Sequence, residues 1–189
     1  MILFGEPIEA AIRTIVQEQT RKGFSYTERG ATRGAPPKGY TADHHRIRLG
    51  QGEETYQRAK RAVRDWKMFN LYWVKLCWTY QPIKPGIEVG IMVHHFGFWS
   101  LSAARIVYVI DEEAPLRRFG FAFGTLVDHM ERGEERFLVE HLADGSVWYD
   151  LYSFSRPQHW LAWLFYPLAR LVQKRFARHS LRAMYDAVK

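Results

Sequence analysis

Cysteine is almost absent from this chain, since Cys77 is the only one in 189 residues. A single cysteine excludes an intrachain disulfide and a cysteine-based metal site. No run reaches the roughly 18 consecutive apolar residues that a membrane-spanning helix needs. The N-terminal stretch 1–19 acquires Glu and Arg too early for a secretory signal. We therefore expect a cytoplasmic protein in a reducing compartment.

The common signatures of catalysis and cofactor binding are also missing. The chain contains no G-x-S-x-G, no G-x-x-x-x-G-K-[ST] and no dinucleotide fingerprint. Two pairs of adjacent histidines, His44–His45 and His94–His95, attract attention as metal ligands. Neighbouring residues of a strand point to opposite faces, however, so neither pair can chelate one ion through both rings. The sequence therefore predicts no metal site and no cofactor.

Positive charge is plentiful but not concentrated. The formal net charge is +7, with nineteen Arg against eight Lys. A nucleic-acid-binding protein normally gathers such an excess on one face or in a tail. Here the basic residues are spread along the chain, and only the last helix is noticeably enriched. This distribution argues against nucleic-acid binding.

The chain is rich in the residues that build a core. Hydrophobic residues make up 47% and aromatic residues 15%, enough for one domain with a modest N-terminal extension. Residues 7–21 have helical apolar spacing after Pro7. The long irregular segment that follows contains Phe24, Tyr26 and Tyr40, which favour a packed strap over a flexible linker. We expect residues 1–43 to form a helix and strap packed on a domain formed by residues 44–189.

Alternating and helical patterns divide that domain. They predict seven strands, at 45–49, 71–80, 87–97, 98–113, 117–126, 134–142 and 147–155, with the last six in an antiparallel run. An amphipathic helix is predicted at 53–69 with acidic residues in its first turn. A long closing helix follows Pro157, and Pro167 should kink or restart it. Its apolar face is formed by Trp160, Leu161, Leu164, Leu168, Leu171, Val172 and Phe176, and continues through Leu181, Met184, Tyr185 and Val188.

This order, a curved antiparallel sheet around a long C-terminal helix, resembles the helix-grip fold of the START-like, birch-pollen-allergen-like superfamily, an α+β class. Particular segments resemble a bacterial and plant family, domain of unknown function 1990. The resemblance rests on RIVYVIDE, FGFAFGTL, GEERFLVEH, DGSVWYDL and FSRP in 105–157, with GATRG and PPKGY upstream, and covers nearly the whole chain. It implies the helix-grip fold and carries over no catalytic residue.

Charged residues inside the predicted strands suggest a site. Alternation places Glu135, Phe137, Val139 and His141 on one face of the predicted strand 134–142 and Glu140 on the other. In the next strand it places Asp150 with Trp148 and Tyr152. It also groups Arg105 with Val107 and Val109. One interpretation is a polar cluster in an aromatic cavity, where it would orient a ligand or act as acid and base. The candidate ligand-binding residues are Arg105, Glu140, Asp150, His141, Trp148, Tyr152, Phe121 and Phe123.

The alternative is that these charges form ordinary cross-strand ion pairs on the other face, each worth about 0.2–1 kcal/mol. In FGFAFGTL, Gly120, Ala122 and Gly124 leave one side of the strand almost bare. Either a neighbouring segment approaches the backbone there or the sheet bends, and the corner role of glycine favours bending.

Three functions remain open at this point. The aromatic content and the implied fold favour a module that binds a small hydrophobic or amphipathic molecule. An enzyme of the cyclase, dehydratase or hydrolase type is the alternative, using the carboxylates and Arg105. A more distant alternative is an interaction module. The closing helix would lie on an anionic membrane surface in that case, although packing under the sheet is the commoner fate of such a helix. The oligomeric state stays undetermined.

Overall fold

The computed structural model describes residues 2–3, 9–77, 82–127 and 129–189. Within them, eight strands form one antiparallel sheet in the order β2-β8-β7-β6-β5-β4-β3, and β1 pairs with β5. The strands are β1 (Ile2–Leu3), β2 (Thr41–Gln51), β3 (Val74–Cys77), β4 (Glu88–His95), β5 (Phe98–Glu112), β6 (Arg117–Thr125), β7 (Glu131–His141) and β8 (Ser146–Pro157). The helices are α1 (Glu9–Thr20), α2 (Gly52–Arg64), α3 (Trp160–Leu164) and α4 (Tyr166–Val188).

The sheet has an inner face, which we define as the side packed against α2 and α4. Alternate residues of each strand meet there in an aromatic core. The Phe121 and Phe137 rings stack at 5.2 Å between centroids, and Phe69 lies 5.4 Å from Phe137 and 5.3 Å from Phe176 of α4. Trp66 contacts Phe121 at 4.7 Å. Burial of these large rings is the main source of the fold's stability.

Helix α2 follows directly from its sequence. Glu53 and Glu54 lie in the first turn, and Arg61 and Arg64 lie in the last, so the charges at both ends complement the helix dipole. Its buried side, which includes Tyr56, packs on the inner face. The helix was predicted to continue to residue 69, but it ends at Arg64, and 67–69 form a separate 3-10 turn.

Helix α4 confirms one prediction and corrects another. Pro167 lies in the first turn of α4, immediately after α3 ends at Leu164, because a proline is tolerated at the start of a helix and not within it. The second half of α4 packs on the core through Phe176, Ala177, Leu181, Met184, Tyr185 and Val188. The expected core packing is wrong for α3 and the first turns of α4, where Leu164, Leu168 and Leu171 are exposed, whereas Val172 does contact the core.

The outer face of the sheet is also covered. Helix α1 packs there through Ile12 and Val16. The strap between α1 and β2 crosses the outer face of β6, β7 and β8, where the Tyr26 ring lies against Gly124. A Cβ atom at residue 124 would fall 2.1 Å from the Tyr26 hydroxyl. The bare side of FGFAFGTL therefore accommodates the strap as well as any bend in the strand.

Several element boundaries differ from the sequence pattern. Strand β1 was not predicted, and β2 extends from 41 to 51 instead of 45 to 49. Residues 7–8 of the predicted first helix and 78–80 of the predicted strand 71–80 lie outside the described residues. A register shift between Ile106 and Tyr108 inserts one residue into β5, which reverses the alternation there. The expectation that Arg105 and Val109 share a face is therefore wrong, since Val109 packs against the inner core and Arg105 lies opposite Gly124.

None of the helices in the described residues has the length and apolar composition needed to cross a membrane.

Candidate functional site

A pocket of about 210 Å³ lies between α4 and the inner face of the sheet. One wall is apolar and aromatic, formed by Phe69, Trp73, Val74, Ile91, Val93, Phe123, Leu151, Val172, Phe176 and Ala177. The other wall carries the polar side chains Asp43, His45, His129, Glu131, Glu135, Ser153, Ser155, Gln173 and Lys174. The pocket is therefore amphipathic, with acidic groups at one end.

Glu135 is the most unusual of these groups. It lies on the inner face of β7 between Phe123 of β6 and Ser153 of β8, next to Phe137 in its own row. No described residue donates a hydrogen bond to its carboxyl group or forms an ion pair with it. Burial, reinforced by the charges of Asp43 and Glu131, raises the pKa of Glu135 to about 8.

Glu131 occupies the same face of β7, two pleats from Glu135. The Gln173 side-chain amide of α4 donates to its Oε2, while Oε1 is buried without a partner among the described residues. Burial raises the pKa of Glu131 to about 7, although Arg170 and Gln173 act in the opposite direction. Both pocket carboxyls therefore titrate near neutrality, which is the range needed for proton exchange with a bound molecule.

His129 closes the same end of the pocket. Its Nδ1 accepts the backbone N–H of Glu131 at 3.0 Å, which places the proton of the neutral ring on Nε2. Burial lowers the pKa of His129 to about 4, so the ring is neutral at pH 7. It can offer a hydrogen bond but does not neutralise the carboxyls.

Asp43 lines the pocket and pairs with Arg170, which joins β2 to α4. The guanidinium group donates through Nη1 and Nη2 to both carboxylate oxygens, a bidentate geometry. This pairing lowers the pKa of Asp43. Because both Nη atoms of Arg170 bind Asp43, Arg170 does not form an ion pair with Glu135. The oxygens of Glu135 therefore remain available to accept a hydrogen bond from a ligand.

The pocket carboxyls do not make a metal site. Among the described residues, no three His, Cys, Asp or Glu side chains converge closely enough to hold an ion. The arrangement instead fits an organic molecule, with an apolar body against the aromatic wall and a polar group at Glu135.

Three of the residues predicted from the sequence lie on the inner face. Phe123 lines the pocket. Phe121 is fully buried in the core beside Phe137 and does not reach the pocket. His141 stacks on Tyr56 at 5.4 Å and lies 3.8 Å from Glu53, so it belongs to the opposite end of β7.

The other five predicted residues project from the outer face, and their placement in an inner cavity is wrong. Arg105 pairs with Glu88 at 3.0 Å, Glu140 pairs with Arg46 at 2.7 Å, and Asp150 pairs with Arg136 at 2.8 Å and His44 at 2.5 Å. The Trp148 indole donates to Ser146, and Tyr152 packs against the His44 ring. The physical reason is that α2 and α4 cover the opposite face.

Most of these outer-face charges fasten the strap or neighbouring strands. Glu134 accepts hydrogen bonds from the Tyr26 hydroxyl at 2.7 Å, from the Gly30 and Thr32 backbone at 2.8 and 3.0 Å, and from the Thr32 hydroxyl. Arg136 donates to the Thr32 carbonyl at 2.7 Å. Both groups bind the strap through these hydrogen bonds, which gives them a structural role.

The functional residues that sequence reasoning missed are Glu135, Glu131 and His129. The signal for Glu135 was present, since alternation placed it in one row with Phe137 and Val139. A carboxyl in that apolar row was as unusual as Glu140 in the other. The contributions of Gln173 and Arg170 depend on how α4 crosses the sheet, which no local pattern indicates.

The comparisons with known proteins identify relatives in distant organisms. A UPF0548 protein of Dictyostelium discoideum is 36% identical over 207 residues, covering 100% of this chain and 96% of that protein. A UPF0548 protein of Deinococcus radiodurans is 35% identical and covers 99% of this chain and 98% of its own length. The UPF0548 protein At2g17695 of Arabidopsis thaliana is 38% identical over 79% of this chain and 74% of that protein.

Solved structures share the fold at low sequence identity. The crystal structure of hypothetical protein jhp0584 from Helicobacter pylori has a TM-score of 0.54 and 10% identity, covering 88% of this chain and 96% of that one. The crystal structure of Ara h 8.0201 has a TM-score of 0.51 and 8% identity, covering 79% of this chain and 98% of that one. The architecture is thus the helix-grip fold of the birch-pollen-allergen type, as the sequence predicted. The model of the family described as domain of unknown function (DUF1990) matches residues 25–183, and the chain belongs to that family.

Proposed function

We propose that this protein binds a small amphipathic molecule in the pocket between α4 and the inner face of the sheet. Its apolar part would lie against Phe123, Phe176 and Trp73, and its polar end would meet Glu135. The observation that carries this proposal is the unpartnered Glu135 carboxyl group in an aromatic-lined pocket. Glu135 is half-buried and its carboxyl group faces the pocket, so a ligand can form a hydrogen bond there without displacing a protein partner.

The dimensions of the pocket limit the ligand. A dry cavity of about 150 Å³ is large enough for benzene, so a pocket of about 210 Å³ suits one ring or a short chain with a polar group. A larger molecule would extend through the mouth of the pocket. We therefore expect the recognised part of the ligand to be of this size.

The acidic end favours a ligand with hydrogen-bond donors. Asp43, Glu131 and Glu135 lie at this end, and Lys174 also lines the pocket. Carboxyl groups outnumber the ammonium group, so an anionic ligand is disfavoured where Glu131 and Glu135 are ionised. A hydroxyl group could exchange hydrogen bonds with protonated Glu135. An ammonium group would favour the ionised carboxyl and displace its proton into solution.

A matched set of three probes tests this proposal: phenylpropanol, phenylpropylamine and phenylpropanoate, each titrated by calorimetry. We expect the alcohol and the amine to bind at least about tenfold more tightly than the carboxylate, a difference of about 1.4 kcal/mol. We also expect the amine to release a proton on binding at pH 7, measurable as a dependence of the heat on the buffer.

The variant Glu135→Leu should weaken binding of the alcohol and the amine by about tenfold. Glu140→Leu is the matched control, because it removes a carboxyl from the outer face of the same strand, and it should leave binding unchanged. If none of the probes binds, or if both variants weaken binding equally, the pocket is not the binding site.

Acid–base catalysis is a second candidate function, favoured by one specific observation. Two neighbouring carboxyls, Glu131 and Glu135, have pKa values of about 7 and about 8, so each can both accept and donate a proton at neutral pH. A cyclase or dehydratase type of reaction needs such a pair. Its test is deuterium incorporation next to the carbonyl of phenylbutanone in heavy water, followed by NMR. Catalysis predicts faster exchange with wild type than with Glu135→Gln, and equal rates would eliminate it.

A further inference from the structure

Six large apolar side chains are exposed along α3 and the first half of α4. We call them the 160–171 apolar surface. The exposed fractions are 75% for Trp160, 62% for Trp163, 67% for Leu164, 49% for Phe165, 43% for Leu168 and 61% for Leu171. Soluble monomers rarely expose a contiguous apolar patch of more than a few hundred Å², and larger patches mark interaction sites. Two tryptophans in one such surface need a physical explanation.

The orientation of this segment is the reverse of an ordinary amphipathic helix. Polar contacts attach the first half of α4 to β2 and β7. The Tyr166 hydroxyl donates to Thr41 at 2.8 Å, Arg170 pairs with Asp43, and Gln173 donates to Glu131. These bonds hold the polar side of the helix against the protein and leave its apolar side outside. The exposure of the 160–171 apolar surface is therefore built into the fold.

The charged residues within this segment of the chain are all basic. Residues 157–185 contain five Arg or Lys and no Asp or Glu. Leu164, Leu168 and Leu171 follow one another at helical spacing, and the same spacing leads along the helix to Lys174 and Arg178, both of which are exposed. An apolar, Trp-containing end thus continues into a basic stripe on the exposed side of α4.

We propose that the 160–171 apolar surface docks on the surface of an anionic phospholipid membrane. Trp160, Trp163 and Phe165 would enter the boundary between headgroups and acyl chains, where tryptophan is favoured. Lys174 and Arg178 would face the anionic headgroups. The helices lie on the membrane and do not cross it.

The charge pattern selects the membrane over a second copy of the chain. Two copies meeting through this surface would bring two basic stripes and two molecules of net charge +7 together without any acidic residue in 157–185 to offset them. A lipid surface supplies both the apolar phase and the negative charge. The proposal does not depend on the pocket ligand, although Val172 and Phe176 of the pocket wall lie on the next turns of α4.

Sedimentation with lipid vesicles tests this proposal on the full chain. We expect binding to vesicles of phosphatidylcholine mixed with phosphatidylglycerol, and much weaker binding to phosphatidylcholine alone. The double variant Trp160→Ser and Trp163→Ser should lose at least about tenfold in affinity, because both side chains leave the apolar phase. Phe96→Ser is the matched control, since Phe96 is 62% exposed in the turn between β4 and β5, outside the surface.

Two further measurements separate the possible outcomes. Brominated lipids should quench the tryptophan emission of wild type more than that of the double variant, and Lys174→Glu with Arg178→Glu should abolish the preference for anionic vesicles. Equal loss of binding in Phe96→Ser, or absence of vesicle binding by wild type, would overturn the proposal. A dimer in sedimentation velocity that the double variant dissociates, without vesicle binding, would assign the surface to a second copy instead.

Discussion

Two glutamates in β7 show how the environment decides the role of one residue type. Glu134 and Glu135 are adjacent and therefore face opposite sides of the sheet. Glu134 accepts four hydrogen bonds from the strap, so both of its oxygens have partners. Glu135 has no such donors and faces an apolar wall. The first is a structural residue, and the second is available for a ligand.

The raised pKa of Glu135 makes stability depend on pH in a defined direction. In the folded state the carboxyl keeps its proton up to about pH 8, whereas in the unfolded chain it loses the proton near pH 4.5. The folded state therefore binds more protons between these values, and the free energy of unfolding falls as pH rises. Glu135 alone should contribute a decrease of about 2 kcal/mol between pH 6 and pH 8.

Urea unfolding at several pH values checks this prediction. In Glu135→Gln, the free energy of unfolding should fall by about 2 kcal/mol less between pH 6 and pH 8 than in wild type. The variant should also be more stable than wild type at pH 8. Glu140→Gln changes an outer-face carboxyl paired with Arg46 and should retain the wild-type decrease. A Glu135→Gln profile parallel to that of wild type would show that the carboxyl ionises in the usual range.

At the scale of elements, one buried carboxylate gathers several hydrogen bonds from the strap. The backbone N–H groups of Gly30 and Thr32 and the Tyr26 hydroxyl converge on Glu134. Tyr108 of β5 contacts the Thr32 hydroxyl at 2.7 Å. The strap is therefore an integral part of the outer face and not a lid over the pocket.

Removing the charge at Glu134 should loosen the strap. In Glu134→Gln, an NH₂ group replaces one of the two oxygens that accept hydrogen bonds from the strap. At least one buried N–H or O–H would lose its acceptor, and we expect the free energy of unfolding to fall by about 1–3 kcal/mol. Urea unfolding measures that cost, and hydrogen exchange at the Gly30 and Thr32 amides should speed up. Glu112→Gln, in an exposed pair with Arg118, is expected to cost less than about 1 kcal/mol. Unchanged protection of both strap amides would refute the assigned role.

The contact between β6 and the strap gives a second prediction at this scale. Gly124→Ala would place a methyl group 2.1 Å from the Tyr26 hydroxyl, and overpacking of this kind costs about 1–3 kcal/mol. Gly34→Ala is the control, because nothing lies within 4 Å of that site and its φ is −141°. Thermal unfolding compares the two. Equal stability of both variants would mean that the Tyr26 ring does not lie against β6.

At the scale of the whole molecule, the arrangement of strands and helices could be predicted from the sequence. Which face of the sheet packs against α2 and α4 could not. Alternation in β7 and β8 is clear, and the closing helix has a distinct period. The sheet, however, is covered on both sides, by α2 and α4 within and by α1 and the strap outside. Both rows of β7 and β8 therefore contain buried apolar residues, Phe137 in one and Leu138 and Phe154 in the other. Hydrophobicity alone does not distinguish such rows.

The candidate site was missed for the same reason. The candidate residues Glu140 and Asp150 came from the rows of β7 and β8 that face outward, whereas Glu131 and Glu135 lie in the inward-facing row of β7. The register shift in β5 and the crossing of α4 are properties of the assembled fold. The strap residues Thr32 and Tyr26 meet Glu134 across more than a hundred residues of chain, a pairing that no local pattern predicts.

Protein-observed NMR with phenylpropanol is the most direct test of the central claim, that the inner pocket binds small amphipathic molecules. The method detects weak binding and reports its location at each amide. We predict that shifts cluster at Glu135, Ser153, Phe123 and Ala177 around the pocket, while Glu140 and Asp150 on the outer face do not move. An absence of shifts up to the solubility of the probe, or shifts centred on Glu140 and Asp150, would show that the inner pocket is not the binding site.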